Sequence, residues 1–172
     1  MTSGQETLKN LGLLDGRRRV VSLGELVVTA EPTETLATYS LGSCLGVLMR
    51  DDIHDISGLL HAVLPRREGL ARVRRPAAWY VREGVCALFD TMLEAGADRR
   101  AITVKAVGGG HPLEMKGRDV GAENVRALEN VLGRLRLGLV ATDFGGVDPR
   151  TLIHDTGSGR TSVLILGEER PL

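Results

Sequence analysis

Two short apolar runs separated by a polar connection constrain this chain most. Cys44-Leu45-Gly46-Val47-Leu48-Met49 and Ile56-Ser57-Gly58-Leu59-Leu60-His61-Ala62-Val63-Leu64 are bounded by turn or charged residues, which is the pattern of strands. Asp51-Asp52-Ile53-His54-Asp55 between them has hairpin length, so the two runs are expected to pair antiparallel. With Met49 and Ile56 flanking the turn, counting back from each sets Cys44 opposite His61. That register puts a thiol beside an imidazole.

Such a pair has a chemistry. An unassisted cysteine is mostly thiol at neutral pH, whereas one next to an imidazolium is stabilised as the thiolate that attacks carbonyls. Gly42 lets a substrate carbonyl come close to the sulfur, and the Ser43 and Cys44 amides are positioned to donate to a developing oxyanion. Spacing alone leaves a second reading open: an isolated cysteine in an apolar run is more often a small buried hydrophobe. His61, flanked by Leu60 and Ala62, equally suits a core position with one hydrogen bond satisfied.

The flanks of these two residues decide between the readings by resemblance. Thr38-Tyr39-Ser40-Leu41-Gly42-Ser43-Cys44, followed seventeen residues after the cysteine by His61 in Leu59-Leu60-His61-Ala62-Val63-Leu64-Pro65, resembles the signature of the chemoreceptor glutamine deamidase family, CheD. The resemblance implies Cys44 as nucleophile, His61 as base and Thr38 as the residue orienting the imidazole or a substrate. It implies deamidation of glutamine side chains on methyl-accepting chemotaxis receptors, with hydrolysis of glutamyl methyl esters as a related activity and no metal or organic cofactor. A CheC-type phosphatase is an implied partner. The implied fold is an α/β layered domain, a β-sandwich-like core flanked by two helices, similar to the catalytic domain of the cytotoxic necrotizing factor toxins. Two rival readings stand beside this one: a chemotaxis adaptor that binds receptors or a CheC-type protein with little catalysis, and a cysteine hydrolase with another amide substrate.

Composition limits the alternatives. With 172 residues, 42% of them hydrophobic, the chain suits one domain with a single sizeable core. Lysines plus arginines and acids number 22 each, so no overall basic field points to nucleic acid. Aromatics at 3% are too few for a base-stacking surface. Cys44 and Cys86 do not form a metal-type pair, and reduced thiols point to the cytoplasm. Met1 to Arg19 lacks a long apolar core, so a flexible tail is expected there, with neither a signal peptide nor a membrane span, and a deamidase domain over 20–172.

A strand is expected around Glu25 to Ala30, and a basic loop from Arg66 to Arg75 whose arginines either attract an acidic receptor surface or are simply solvated. Apolar spacing from Ala77 to Ala95 predicts a helix closed by Gly96, with Cys86 as helix packing and Arg82 where the family pattern leads to an aspartate. Ala101 to Val107 predicts a strand ending in Gly108-Gly109-Gly110-His111. No Gly-Lys-Ser/Thr comes after it, which excludes a phosphate loop; Lys105, Gly108 and Gly109 resemble the family's Lys-x-x-Gly-Gly strand exit, which implies that the two glycines allow tight turns around the pocket. His111 reads as a loop residue. Val120 opens a second amphipathic helix in which Asn124 either orients backbone near the site or is an ordinary helix-start polar residue. Further strands are expected at Leu137 to Thr142, Thr151 to Asp155 and Thr161 to Leu166. Gly145, Gly146 and Arg150 match a family loop in which Pro149 replaces a glycine.

Overall fold

A computed structural model describes residues 17–67, 75–112 and 117–172, and within these two five-stranded sheets and two helices form three layers. In chain order the strands are β1 Arg18–Val20, β2 Leu26–Thr29, β3 Thr35–Leu41, β4 Leu45–Asp51, β5 Ile56–Ala62, β6 Ile102–Gly108, β7 Leu139–Phe144, β8 Arg150–Asp155, β9 Thr161–Ile165 and β10 Glu168–Pro171. The helices are α1 Val81–Glu94 and α2 Val120–Leu135. One sheet runs β1-β3-β8-β9-β10 and the other β2-β5-β4-β6-β7. The mixed α/β expectation therefore holds at the level of two sheets and two helices.

Alternation along β4 and β5 builds the layers. Leu45, Val47, Met49, Ile56, Leu60 and Ala62 face the helices, where they meet Val81, Val85, Leu88, Met92, Leu128, Val131 and Leu132. Leu48 and Leu59 face the other way, onto Leu36, Leu41, Leu152 and Val163 of the opposite sheet. Both faces of this hairpin are covered, which is why its strands are uniformly buried. The two amphipathic helices cover one face, and α2 joins the parallel neighbours β6 and β7.

The β4–β5 register differs from expectation by two residues. Asp51 pairs with Ile56 and Gly46 with His61, so Gly46, not Cys44, lies opposite His61. Arg50 and Asp51 belong to β4 because their charges are satisfied where they are buried. Arg50 donates to Ser57 Oγ at 2.8 Å and to the Thr156 carbonyl at 2.9 Å. Asp51 accepts from the Ile53 and Asp98 amides at 2.8 and 2.7 Å and lies 2.7 Å from His54 Nδ1. The turn is thus shortened to residues 52–55. A two-residue slip preserves which face each side chain occupies.

Other boundaries moved for local reasons. Tyr80 is extended (φ −112°, ψ 136°) and bridges Leu64, so the helical segment from Ala77 divides into a 3-10 turn at Ala77–Trp79 and α1. Without a side-chain cap, α1 has its first amides satisfied by the carbonyls of Leu64 (2.7 Å) and Pro65 (3.1 Å), just past β5. At its other end α2 stops in a left-handed Arg136, and Leu137 N–H turns back to Leu132 O, so β7 begins at Leu139. The first sheet begins at Arg18, two residues ahead of the expected boundary, while Met1 to Gly16 lie outside the described residues. Among the described residues no helix is long and apolar enough to cross a membrane.

Candidate active site

The Gly42-Ser43-Cys44 turn is where the chain passes from one sheet to the other. β3 belongs to the first sheet and β4 to the second, with only these three residues between them. β3 carries a bulge between Thr38 and Leu41 against β8, and Ser40 within it takes a left-handed φ of 57°. A bulge of this kind bends the strand and re-aims the residues beyond it. Here it turns the chain across the sandwich so that Cys44 packs at the edge of the inter-sheet core, half-buried, beside Leu41 and Val107.

Three carbonyls fix the turn. Gly42 O accepts from Gly110 N at 2.8 Å, Ser43 O from Asn124 Nδ2 at 2.8 Å and Cys44 O from Gly109 N at 2.9 Å. Asn124 also donates to Val63 O at 3.0 Å, so one fully buried side chain ties the cysteine turn to the strand end beyond His61. Gly108 has φ +115°, and a Cβ there would stand 2.1 Å from Cys44 O. No L side chain fits that position without moving the cysteine turn. Among the described residues neither the Ser43 nor the Cys44 amide donates to a carbonyl.

His61 lies between the sheets, 3% exposed. Thr38 Oγ1 of the facing sheet donates to Val21 O at 2.8 Å and stands 2.7 Å from His61 Nδ1. A hydroxyl has one proton, and that proton is committed to Val21. Nδ1 therefore carries the hydrogen and donates to Oγ1, which leaves the lone pair on Nε2. Nε2 is buried and has no hydrogen-bond partner among the described residues. Leaving such an atom unpaired costs about 1–3 kcal/mol in a purely structural setting. Gly46, opposite His61, makes room for this contact: a Cβ there would lie 2.9 Å from Leu41 Cδ1 and 3.1 Å from Thr38 Cγ2.

Cys44 packs against the cluster between the sheets, where Gly46 of β4 meets Thr38 and Leu152. Cys44, His61 and Thr38 thus face one inter-sheet space. Burial pushes the Cys44 thiol up, its own amide acting weakly the other way. Burial likewise lowers His61, against a smaller opposing effect of the Val21 carbonyl. Both groups rest uncharged near neutral pH.

The other positions singled out from sequence fall elsewhere. Lys105 Nζ reaches the Leu172 carbonyl at 2.8 Å, away from the cysteine turn. His111 stands on the loop, 3.6 Å from the Asp119 carboxylate. Arg150 is buried and bonds Asp143 at 3.0 Å, joining β8 of one sheet to β7 of the other. Of the basic loop, residues 68–74 lie outside the described residues, while Arg67 stacks on Tyr80 at 5.4 Å and Arg75 on Trp79 at 4.3 Å. Val21, Gly46 and Gly110 had no sequence signal. Their roles depend on a sheet-to-sheet approach that no local pattern encodes. Among the described residues no cluster of three or more His, Cys, Asp or Glu side chains is placed to hold a metal ion.

A family model for CheD, chemotactic sensory transduction, matches residues 63–164. A Symbiobacterium thermophilum protein named probable chemoreceptor glutamine deamidase CheD is 37% identical over 158 residues, covering 89% of this chain and 95% of that protein. A Thermococcus kodakarensis protein of the same name is 34% identical, covering 81% and 88%. The Thermotoga maritima chemoreceptor glutamine deamidase CheD is 30% identical, covering 87% and 93%. A solved structure, the Bacillus licheniformis hypothetical protein YfiH, has a TM-score of 0.46 at 10% identity over 71% of this chain and 50% of that one.

Proposed function

Because the chain belongs to the CheD family, we propose that it is a cysteine-dependent amidohydrolase that converts glutamine side chains of chemotaxis receptors to glutamate, with Cys44, His61 and Thr38 as its reacting and orienting groups. The observation that carries this reading is the buried, unpartnered Nε2 of His61, with Nδ1 committed to Thr38. A neutral imidazole in that tautomer is a base awaiting a proton.

The steps start from a pair that rests neutral. Cys44 Sγ attacks the amide carbon of the substrate glutamine as its proton passes to His61 Nε2. The amide oxygen takes up negative charge, which the Ser43 and Cys44 amides, unused by any carbonyl, are free to meet. His61 then hands the proton to the departing nitrogen, ammonia leaves and a thioester remains. Water attacks the thioester with His61 again taking the proton, the C–S bond breaks, and the thiol recovers the proton as glutamate is released. Thr38 holds the imidazolium that forms twice in this cycle. Its hydroxyl stabilises that cation less than a carboxylate would, so modest activity is expected. The same acyl step accommodates a glutamyl methyl ester, with methanol leaving in place of ammonia. The reaction runs in the cytoplasm, where receptor signalling segments and reduced thiols are found together. A CheC-type phosphatase would act as a binding partner, not as part of the chemistry.

Mass spectrometry of a purified receptor cytoplasmic fragment incubated with wild type or Cys44→Ala tests the proposal. Amide-to-acid conversion adds about one dalton per site, and only wild type should produce it. Equal conversion by both proteins removes the cysteine mechanism. Binding of the fragment by wild type without conversion favours the adaptor reading.

A further inference from the structure

Formal charge sums to zero over the chain, yet one region is predominantly basic. Between α1 and α2, beside the exit of β5, an open groove of about 620 Å³ is lined by Arg66, Arg82, Arg118, Arg126 and Arg134, with Glu123 as the acid in the lining. Arg118 is engaged by Glu123, with contacts at 2.7 and 2.5 Å. Arg82, Arg126 and Arg134 are exposed, and their guanidinium groups make no hydrogen bond or ion pair among the described residues. Arg126 and Arg134 stand eight positions apart on α2, about 12 Å along its axis, and Arg82 enters from the first turn of α1.

The groove adjoins the proposed active site through covalent and hydrogen-bonded links. Pro65 and Arg66 lie three and four residues past the end of the strand that carries His61. Asn124, which holds the Ser43 and Val63 carbonyls, stands on α2 between Glu123 and Ala127 of the groove lining, one residue after the first and three before the second. A substrate surface lying along α2 therefore continues toward the cysteine turn.

We propose that this groove is a second binding surface for the protein substrate, a docking site for a carboxylate-rich helical face of the receptor beside the glutamine presented to Cys44. The inference rests on the deamidase reading of that site. Guanidinium forks pair with carboxylates in fixed geometry, and three of them spread over two helical turns match acids repeated along a helix. A compact phosphate fits worse. The N-terminus of α2, the usual phosphate cradle, is occupied by the Asp119 carboxylate, which accepts from Ala122 N at 2.9 Å, with Glu123 in the same turn.

The test uses the full chain and a purified receptor cytoplasmic fragment. The triple variant R82E/R126E/R134E should raise KM about tenfold or more, with the loss in KM and not in kcat, and should flatten the salt dependence of kcat/KM. In a Cys44→Ala background the same three changes should weaken the fragment's Kd by a similar factor. R82Q/R126Q/R134Q, which adds no repulsion, should show a smaller shift of the same sign and controls for misfolding. Unchanged KM and Kd in both variants overturn the proposal. So does competition by inorganic pyrophosphate or anionic vesicles for these arginines when the fragment does not need them. Arginine-dependent binding without conversion by wild type supports the groove and overturns the deamidase reading instead.

Discussion

His61 and His154 both sit buried between the two sheets, each against a threonine hydroxyl. At His154 both ring nitrogens are occupied: Nε2 lies 3.0 Å from Ser57 Oγ and Nδ1 3.1 Å from Thr161 Oγ1, while Arg50 secures Ser57 at 2.8 Å. At His61 only Nδ1 is occupied, and Nε2 has no partner among the described residues. Burial acts on both rings in the same direction. What separates them is the second nitrogen. A satisfied histidine ties two sheets together; one left half-satisfied and uncharged can take a proton.

The largest effect that would sharpen this contrast is on turnover. His61→Gln should lower the rate of receptor-fragment conversion by about 10²–10⁴-fold, the range of a lost general base, with thermal stability changed little because an unpaired nitrogen is removed. A variant that keeps activity within a few-fold would break the comparison at its functional end. His154→Ala should do the reverse. It leaves Ser57 and Thr161 buried without their partner and opens a cavity, so unfolding in urea should show a loss of about 2–4 kcal/mol, while kcat is retained.

Next in size is a pH effect on stability. His154 is held down to about 4 by burial first and then by the Arg50 and Lys105 charges, with Asp155 and Asp52 opposing. The unfolded chain binds this proton near pH 6.5 and the folded chain not until about 4, so stability should fall as pH drops through that window. The total is about 3 kcal/mol, and His154→Gln should flatten the curve. An unchanged curve in that variant would assign the acid sensitivity elsewhere. The smallest effect belongs to the orienting hydroxyl. Thr38→Val should cost about tenfold in kcat and Thr38→Ser should restore most of it, since the serine hydroxyl can still bridge Val21 O and His61 Nδ1.

The same contrast shows how much the sequence makes legible. The hairpin carrying His61 is readable because its apolar runs are long and its turn is polar. Its register is displaced by two because Arg50 and Asp51, charged residues that look like turn, are buried in the strand by partners as distant as Thr156 and Asp98. The face assignment survives, since alternation repeats every two residues. β3 gives no clean alternation, and β10 is exposed at every position, so neither announces itself as a strand. For Asn124 the sequence leaves two roles open, and the structure has it orienting backbone near the site; which carbonyls it holds is not readable, because they lie 81 and 61 residues away. The His154 network escapes for the same reason, its Ser57 partner being 97 residues distant.

The central claim is that thiol and imidazole rest uncharged and that the proton moves only during attack. The pH dependence of Cys44 alkylation by iodoacetamide, read by peptide mapping to separate Cys44 from Cys86, measures it directly. An apparent pKa above the ordinary thiol value of about 8.5 is the expected result. A midpoint well below that value, lost in His61→Gln, would mean a thiolate–imidazolium pair already formed in the free protein and would contradict the account.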